Sequence, residues 1–297
     1  MKFDRAFGVG CAVLSAVSFG TNPLFALLLY RRGMTTGSVL FYRLSLATLL
    51  LGLWMLMCGK SFRLERRHLP WSLFSGVLLA LTCQFLFMSF RVMDAGIAAT
   101  ILFVYPLMVA LIMRFGFRER MSRKVWICLF AALAGVALLS HNTGGGFSFA
   151  GVAYALLSAL IYAVYIVLVR VSKLRELDSG ALTFYAMLFS VPIFLAILRG
   201  GADLQVPPDL VSWICVFGLA LFPALLSFLL LAVAIQRIGA TETSMFGACE
   251  PATSIVIGVL VFGEVLTARV VCGMAAILLA VTLAAVDAKS ADDGGEK

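Results

Sequence analysis

Apolar residues along this chain fall into long blocks divided by short polar or charged punctuation. Ten blocks can be read, at 6–30, 36–58, 69–90, 95–114, 124–141, 149–170, 179–198, 210–235, 239–262 and 268–286. Each is close to the roughly 20 residues needed to cross roughly 30 Å of hydrocarbon. Lipid offers no partner to backbone N–H and C=O groups, so blocks of this length are predicted to be helices. The joining loops are too short to house a soluble domain. The stretch 289–297 is polar and is expected to be irregular chain. The first block is longer than the 7–15-residue core of a secretory signal and is followed by further blocks, so it is expected to remain as the first helix.

Composition agrees with this pattern. Of 297 residues, 62% are hydrophobic and 13% charged, whereas a soluble domain carries about 25% charged residues. The chain lacks the polar surface to face water all round. A net charge of +8 could signal nucleic acid, but the basic residues sit between apolar blocks. With both termini inside, 17 Lys and Arg fall on the inner side and 5 on the outer, with Arg43 inside a block. That bias is the one cytoplasmic loops show, so nucleic acid is excluded as a partner. The expected setting is the cytoplasmic membrane, with both termini cytoplasmic and an even number of spans. The seven cysteines are scattered singly, without CxxC or Cys/His spacing. Neither a disulfide framework nor a metal or other cofactor is expected.

The chain also repeats itself. Gly8-Val9 and Leu14-Ser15-Ala16 match Gly151-Val152 and Leu157-Ser158-Ala159 at an offset of 143, as Phe41-Tyr42 matches Phe184-Tyr185. Trp71 and Gly76 match Trp213 and Gly218 at 142; an offset of 145 pairs Pro106 with Pro251 and Glu119 with Glu264. The halves are 1–143 and 147–297, joined at Gly144-Gly145-Gly146. Five spans is an odd number, so the second half must lie inverted in the membrane. Inverted repeats are a recurring plan of secondary transporters, with the substrate site near the midplane between them. The fold class expected is therefore all-α: ten transmembrane helices as two inverted five-helix repeats.

Particular residues carry a resemblance. Phe19-Gly20-Thr21-Asn22-Pro23, Phe41-Tyr42-Arg43, and a glutamate closing spans 4 and 9 (Phe117-Arg118-Glu119 and Phe262-Gly263-Glu264) are similar to EamA-type members of the drug/metabolite transporter superfamily. Arg118 stands where that family usually has Gly. The resemblance implies a basket of ten helices around a central cavity open alternately to either side, lined by spans 1, 3, 4, 6, 8 and 9, with 5 and 10 peripheral. It implies export or exchange of amino acids, metabolites or drugs.

Against that frame, Glu250 is the foremost candidate. It lies about 11 residues, or some 16 Å, into span 9, where a carboxylate is costly and marks function by default. It could exchange a proton during transport or meet a substrate amine; the alternative is structural glue between helices. Its repeat partner is Tyr105. Asn22, Gln84, Tyr162, Tyr165 and Ser227 are the other candidates for a substrate-binding wall, weighed against ordinary interhelical packing. Pro23, Pro106, Pro223 and Pro251 are expected to break their helices and turn carbonyls toward the cavity. Arg43, Glu119 and Glu264 are read as gating or structural residues, the two glutamates as helix caps or gate contacts. Trp71, Trp126 and Trp213 suit interfacial anchoring.

The function expected is a monomeric secondary active transporter. It would move a small, amino-acid-like metabolite across the bilayer, with proton coupling through Glu250. The alternative is a multidrug exporter of the same fold. A channel finds no charged ring or filter-like loop, and an enzyme finds no catalytic constellation, since His68 and His141 stand alone at span ends.

Overall fold

The structure, a computed structural model, describes residues 2–118, 123–140, 148–231, 233–234, 237, 246–247 and 249–295. Among them the regular elements are helices and no strand occurs. In chain order these are α1 (Lys2–Gly20), α2 (Asn22–Arg31), α3 (Thr36–Met57), α4 (Leu69–Val92), α5 (Ala95–Leu102), α6 (Tyr105–Gly116), α7 (Arg123–Ser140), α8 (Phe149–Val171), α9 (Ser179–Ile197), α10 (Leu210–Ala220), α11 (Cys249–Phe262) and α12 (Ala268–Gly295). Seven stretches of the described chain are long and apolar enough to cross a membrane, and Cys249–Phe262 and Ala268–Ala280 are shorter apolar helices. The protein is thus an all-helical, multi-pass membrane protein. One expectation fails at the C-terminus, where α12 runs through the polar tail to Gly295. Continuing a formed helix adds a hydrogen bond per residue without a new nucleus, and the alanines after Leu283 favour it.

Helix starts follow the punctuation. Thr35, Ser148, Asp178 and Asp209 each accept a backbone N–H from the first turn of α3, α8, α9 and α10, respectively, the usual duty of short oxygen-bearing side chains at an N-cap. Thr35 and Asp178 stand 143 residues apart, so α3 and α9 begin at equivalent places in the two halves.

The apolar stretches do not run straight. Ala6–Arg31 breaks at Thr21, because Pro23 has no N–H to give the carbonyl of Phe19. The Asn22 side chain supplies it instead, Nδ2 donating to Phe19 O at 2.8 Å, while the Thr21 hydroxyl donates to Ser18 O. Ala95–Gly116 breaks at Phe103-Val104, just before Tyr105-Pro106 opens α6. Beyond α10 the chain passes through a wide π turn, Leu221–Leu226, which holds Pro223. A π turn relieves the misfit left by a missing donor. Pro251 lies in the first turn of α11, and Gly247 O accepts from Glu250 N.

Packing places α4 against α8 and α9, α3 against α9, α11 against α1 and α5, and α7 against α12. The last pair meets along small residues: a Cβ added at Gly135 would lie 2.8 Å from Gly273 O. Close backbone approach of this kind drives helix association in lipid, where hydrophobicity alone does not. Among the described residues, ion pairs between the halves gather at the two ends of α3, roughly 33 Å apart. At its start, Arg32 pairs with Asp209 at 3.1 Å and Thr35 N donates to Gln205 Oε1. Just past its end, Lys60 lies 3.9 Å from Asp178 and Arg67 3.2 Å from Glu176, with the His68 ring 3.5 Å from the same carboxylate.

Candidate functional site

The broken helices converge. Gly20 ends α1 against the start of α11, so closely that a Cβ there would lie 2.6 Å from both Glu250 O and Thr253 Cβ. The Gly20 carbonyl, left over by the break, accepts from Ser254 Oγ at 3.1 Å. This close join holds the Glu250 backbone against the gap in the first apolar stretch. On the other side, the Phe103-Val104 break sets Tyr105 at the head of α6.

Between these joins lies a cavity of about 460 Å³, within the range of small-molecule sites. Its wall includes Ser15 and Phe19 of α1, Arg43 of α3, Thr82 and Cys83 of α4, Tyr105 and Pro106, Tyr162 of α8, Ser227 and Phe228 beyond the π turn, and Glu250. The Tyr105 and Tyr162 rings meet edge-on with centroids 4.8 Å apart, and Tyr162 stacks on Tyr165 at 6.0 Å. Phe19 meets Phe228 edge-on at 6.4 Å. Ser15 Oγ donates to Ser227 O at 2.8 Å, tying α1 to the chain after the π turn. The wall is mostly aromatic and aliphatic, with few polar groups: Glu250, Arg43, two tyrosine hydroxyls and a few small hydroxyls. A second cavity of about 400 Å³ shares Met187, Ala224, Phe228 and Leu231 with the first and reaches Lys60 and Asp178.

Of the residues singled out from sequence, the cavity wall collects Tyr105, Tyr162, Ser227, Glu250, Arg43 and Pro106. It does not include Asn22, Gln84 or Tyr165 among the described residues. Asn22 is buried and spends its amide on the Phe19 carbonyl, with Oδ1 unpartnered. Gln84 has a buried, unpartnered Oε1. Tyr165 backs Tyr162 from behind. Arg43 is 3% exposed and neither snorkels nor pairs with a carbonyl through Nε or Nη1; it lies over the Phe87 ring, 5.1 Å from its centroid. Sequence reasoning passed over Phe19, Thr82, Cys83 and Phe228. Thr82 and Cys83 belong with Leu79 and Leu86 to one face of α4, at helical spacing. Gln84, one residue on from Cys83, falls off that face.

Glu264 lies outside the cavity. Its carboxylate accepts from Ala95 N at 2.7 Å and Gly96 N at 3.3 Å, capping α5, whose own N-cap residue Asp94 makes no side-chain capping bond. Burial pushes its carboxyl above the ordinary carboxylate value, against the pull of the Ala95 N–H and with a further push from Asp94. Glu119 lies outside the described residues. Among the described residues no group of His, Cys, Asp or Glu could hold a metal.

Comparison with known proteins bears on this geometry. The model of the EamA-like transporter family matches residues 6–141 and again 149–286. An uncharacterized transporter of Archaeoglobus fulgidus is 26% identical over 284 residues, covering 94% of this chain and 96% of the relative. The uncharacterized transporter YxxF of Bacillus subtilis is 25% identical over 257 residues, 84% of this chain and 80% of its own. A solved crystal structure superposes with a TM-score of 0.66 at 18% identity, covering 98% of this chain and 99% of that one, a likeness of fold.

Proposed function

Because the chain belongs to the EamA-like transporter family, we propose that it is a secondary active carrier that exports a small, amino-acid-like metabolite by alternating access. The observation that carries this reading is the 460 Å³ cavity, walled by both matched halves, with Glu250 at a helix join inside it. Buried carboxylates of this kind serve proton relays in transporters. In the cycle we propose, Glu250 takes a proton from one side and releases it to the other, while Tyr105, Tyr162 and Ser227 contact the substrate. Asn22, Gln84 and Tyr165 support that wall from behind.

Alternation follows from ten spans arranged as two inverted halves, 1–143 and 147–297. Support comes from the equivalent starts of α3 and α9 and from the polar ties at the two ends of α3. Thr35 and Asp178, equivalent caps, each take part in one of these sets of ties. Opening one set while the other holds would expose the cavity to one side at a time. The second cavity gives a route toward the Lys60 end, which the charge bias assigns to the cytoplasm. Both termini then lie inside. One chain walls the whole cavity, so a monomer suffices.

Transport into proteoliposomes with and without an imposed pH gradient tests the proposal. A gradient accelerates net movement by the wild type, and Glu250→Gln removes that response. A rate indifferent to the gradient in both proteins would sink proton coupling. Termini tagged and mapped to opposite faces would sink the inverted arrangement.

A further inference from the structure

Arg43 is set apart from the other cations whose ion pairs can be described. Arg32, Lys60, Arg67 and Arg199 have carboxylate partners in loops or at helix ends. Arg43 is 3% exposed, about seven residues into α3, and lines the central cavity. Its Nε and Nη1 are buried without a hydrogen-bond partner. The groups around it do not answer that need. The Phe87 ring lies 5.1 Å below the guanidinium and offers only its π face. The Tyr30 hydroxyl donates to Phe87 O, and Cys83 beside it is a weak acceptor. Glu250 shares the cavity wall, yet no ion pair joins it to Arg43 among the described residues. A guanidinium presents a fixed planar fork of N–H donors that matches a carboxylate with two parallel bonds, and leaving a buried charge unpaired is strongly unfavourable.

We propose that Arg43 binds the carboxylate of the transported molecule, so that the substrate is a zwitterion whose carboxylate meets Arg43 and whose ammonium faces Glu250. Its apolar group then lies among Phe19, Phe228 and Tyr162. Arg43 thereby becomes the residue that selects amino-acid-like molecules over amines of similar size. The assignment rests on the carrier reading and deepens it.

The test is counterflow in proteoliposomes holding the full chain, with the twenty standard L-amino acids as probes and the carboxamide of each amino acid that exchanges. The wild type prefers the acid over its amide by about tenfold or more, the range expected when a charged hydrogen-bond partner is lost. Arg43→Gln brings the two within about twofold by weakening the acid alone, and Arg43→Lys, with charge but no fork, falls between. A purely structural Arg43 would weaken acid and amide together and leave their ratio unchanged, which overturns the proposal. Should Arg43→Gln fail to fold, the wild-type ratio and Arg43→Lys still decide it. Amides exchanging as well as acids in the wild type overturn the assignment and leave the carrier standing. Exchange of none of the twenty overturns the zwitterion class. Solute flux without counterflow overturns the carrier itself.

Discussion

The Glu264 cap is the junction whose energetics can be worked furthest. Replacing Glu264 by Ala removes a carboxylate from two backbone donors at the start of α5, Ala95 N at 2.7 Å and Gly96 N at 3.3 Å. Loss of an N-cap costs about 0.5–2 kcal/mol, and a buried donor left unsatisfied costs about 1–3 kcal/mol. Glu264 is only half-buried, so water can recover part of this, and a net loss of about 1–3 kcal/mol is expected. Glu264→Gln keeps one carbonyl oxygen for Ala95 N and should lose roughly half as much. A second perturbation reaches the same bonds from the other side. A methyl group at Gly258 would run into the Glu264 carboxylate, so Gly258→Ala should displace the cap and match much of the cost of Glu264→Ala. The double variant should then be clearly less damaged than the two single losses added together.

The pH dependence has a definite sign. Burial holds the Glu264 carboxyl above its ordinary value of 4.5, and Asp94 is raised above 3.8 by the same cause. Between the ordinary and the folded-state value, the folded protein keeps a proton that the unfolded chain has released. The contribution of Glu264 to stability is therefore greatest below about 4.5 and falls as pH rises through that window. Glu264→Gln should flatten this fall, leaving the share due to Asp94. The assay is chemical unfolding of detergent-purified protein, followed by tryptophan fluorescence across pH. Full additivity of Gly258→Ala and Glu264→Ala would refute the cap, as would a Glu264→Ala protein within about 0.3 kcal/mol of wild type.

Three other sites give sharp expectations. Asp209 is held below its ordinary carboxyl value of 3.8, chiefly by its hydrogen bonds to Ser212 and then by Arg32; its stabilising effect is present above 3.8 and is lost as pH falls through the folded-state value. Asp209→Asn keeps an acceptor for Ser212 N and should remove this acid-side loss, seen as a flatter unfolding midpoint below pH 4. Gly20→Val places a branched side chain where even a Cβ would lie 2.6 Å from Glu250 O; overpacking of about 1–3 kcal/mol or more should lower the thermal midpoint and abolish counterflow, while Gly10→Val, with nothing within 4 Å of its Cβ, should do neither. Tyr162→Ala removes a ring packed at 4.8 Å on Tyr105 and should cost about 3–5 kcal/mol, whereas Tyr162→Phe keeps the ring and should unfold within about 1 kcal/mol of wild type.

What the sequence foretold and what it did not divide along physical lines. Helices were legible because lipid leaves the backbone no other way to satisfy itself, and the prolines announced where helices could not continue. The family match in two stretches, 6–141 and 149–286, has its counterpart in the repeated Gly-Val, Phe-Tyr and Pro pairs. The way each break is repaired was not legible, because the repair depends on which donor lies near the freed carbonyl. Asn22 looked like a cavity residue for its polarity, yet its amide is taken by the Phe19 carbonyl that Pro23 leaves open. Glu264 could be placed at a span end, but its partners are about 170 residues away in sequence, in a helix start with no cap of its own.

The cavity face of α4 shows the same limit in its clearest form. An amphipathic helix in water declares its inner face by its apolar stripe, but α4 is apolar all round because its outer side meets lipid and its inner side meets other helices. With no stripe to set the phase, polarity alone pointed to Gln84, and the wall is formed one residue earlier, by Thr82 and Cys83. Phase in such a helix is fixed by tertiary contact: Ser158 Oγ donates to Thr82 O at 2.8 Å, tying α8 to α4 at the level of the cavity. Glu250 and Arg43 were legible for the opposite reason. A charged side chain this deep in an apolar block is so costly that its presence is informative before any neighbour is known, and what remained for the structure to supply was that both line one cavity and that, among the described residues, no ion pair answers Arg43.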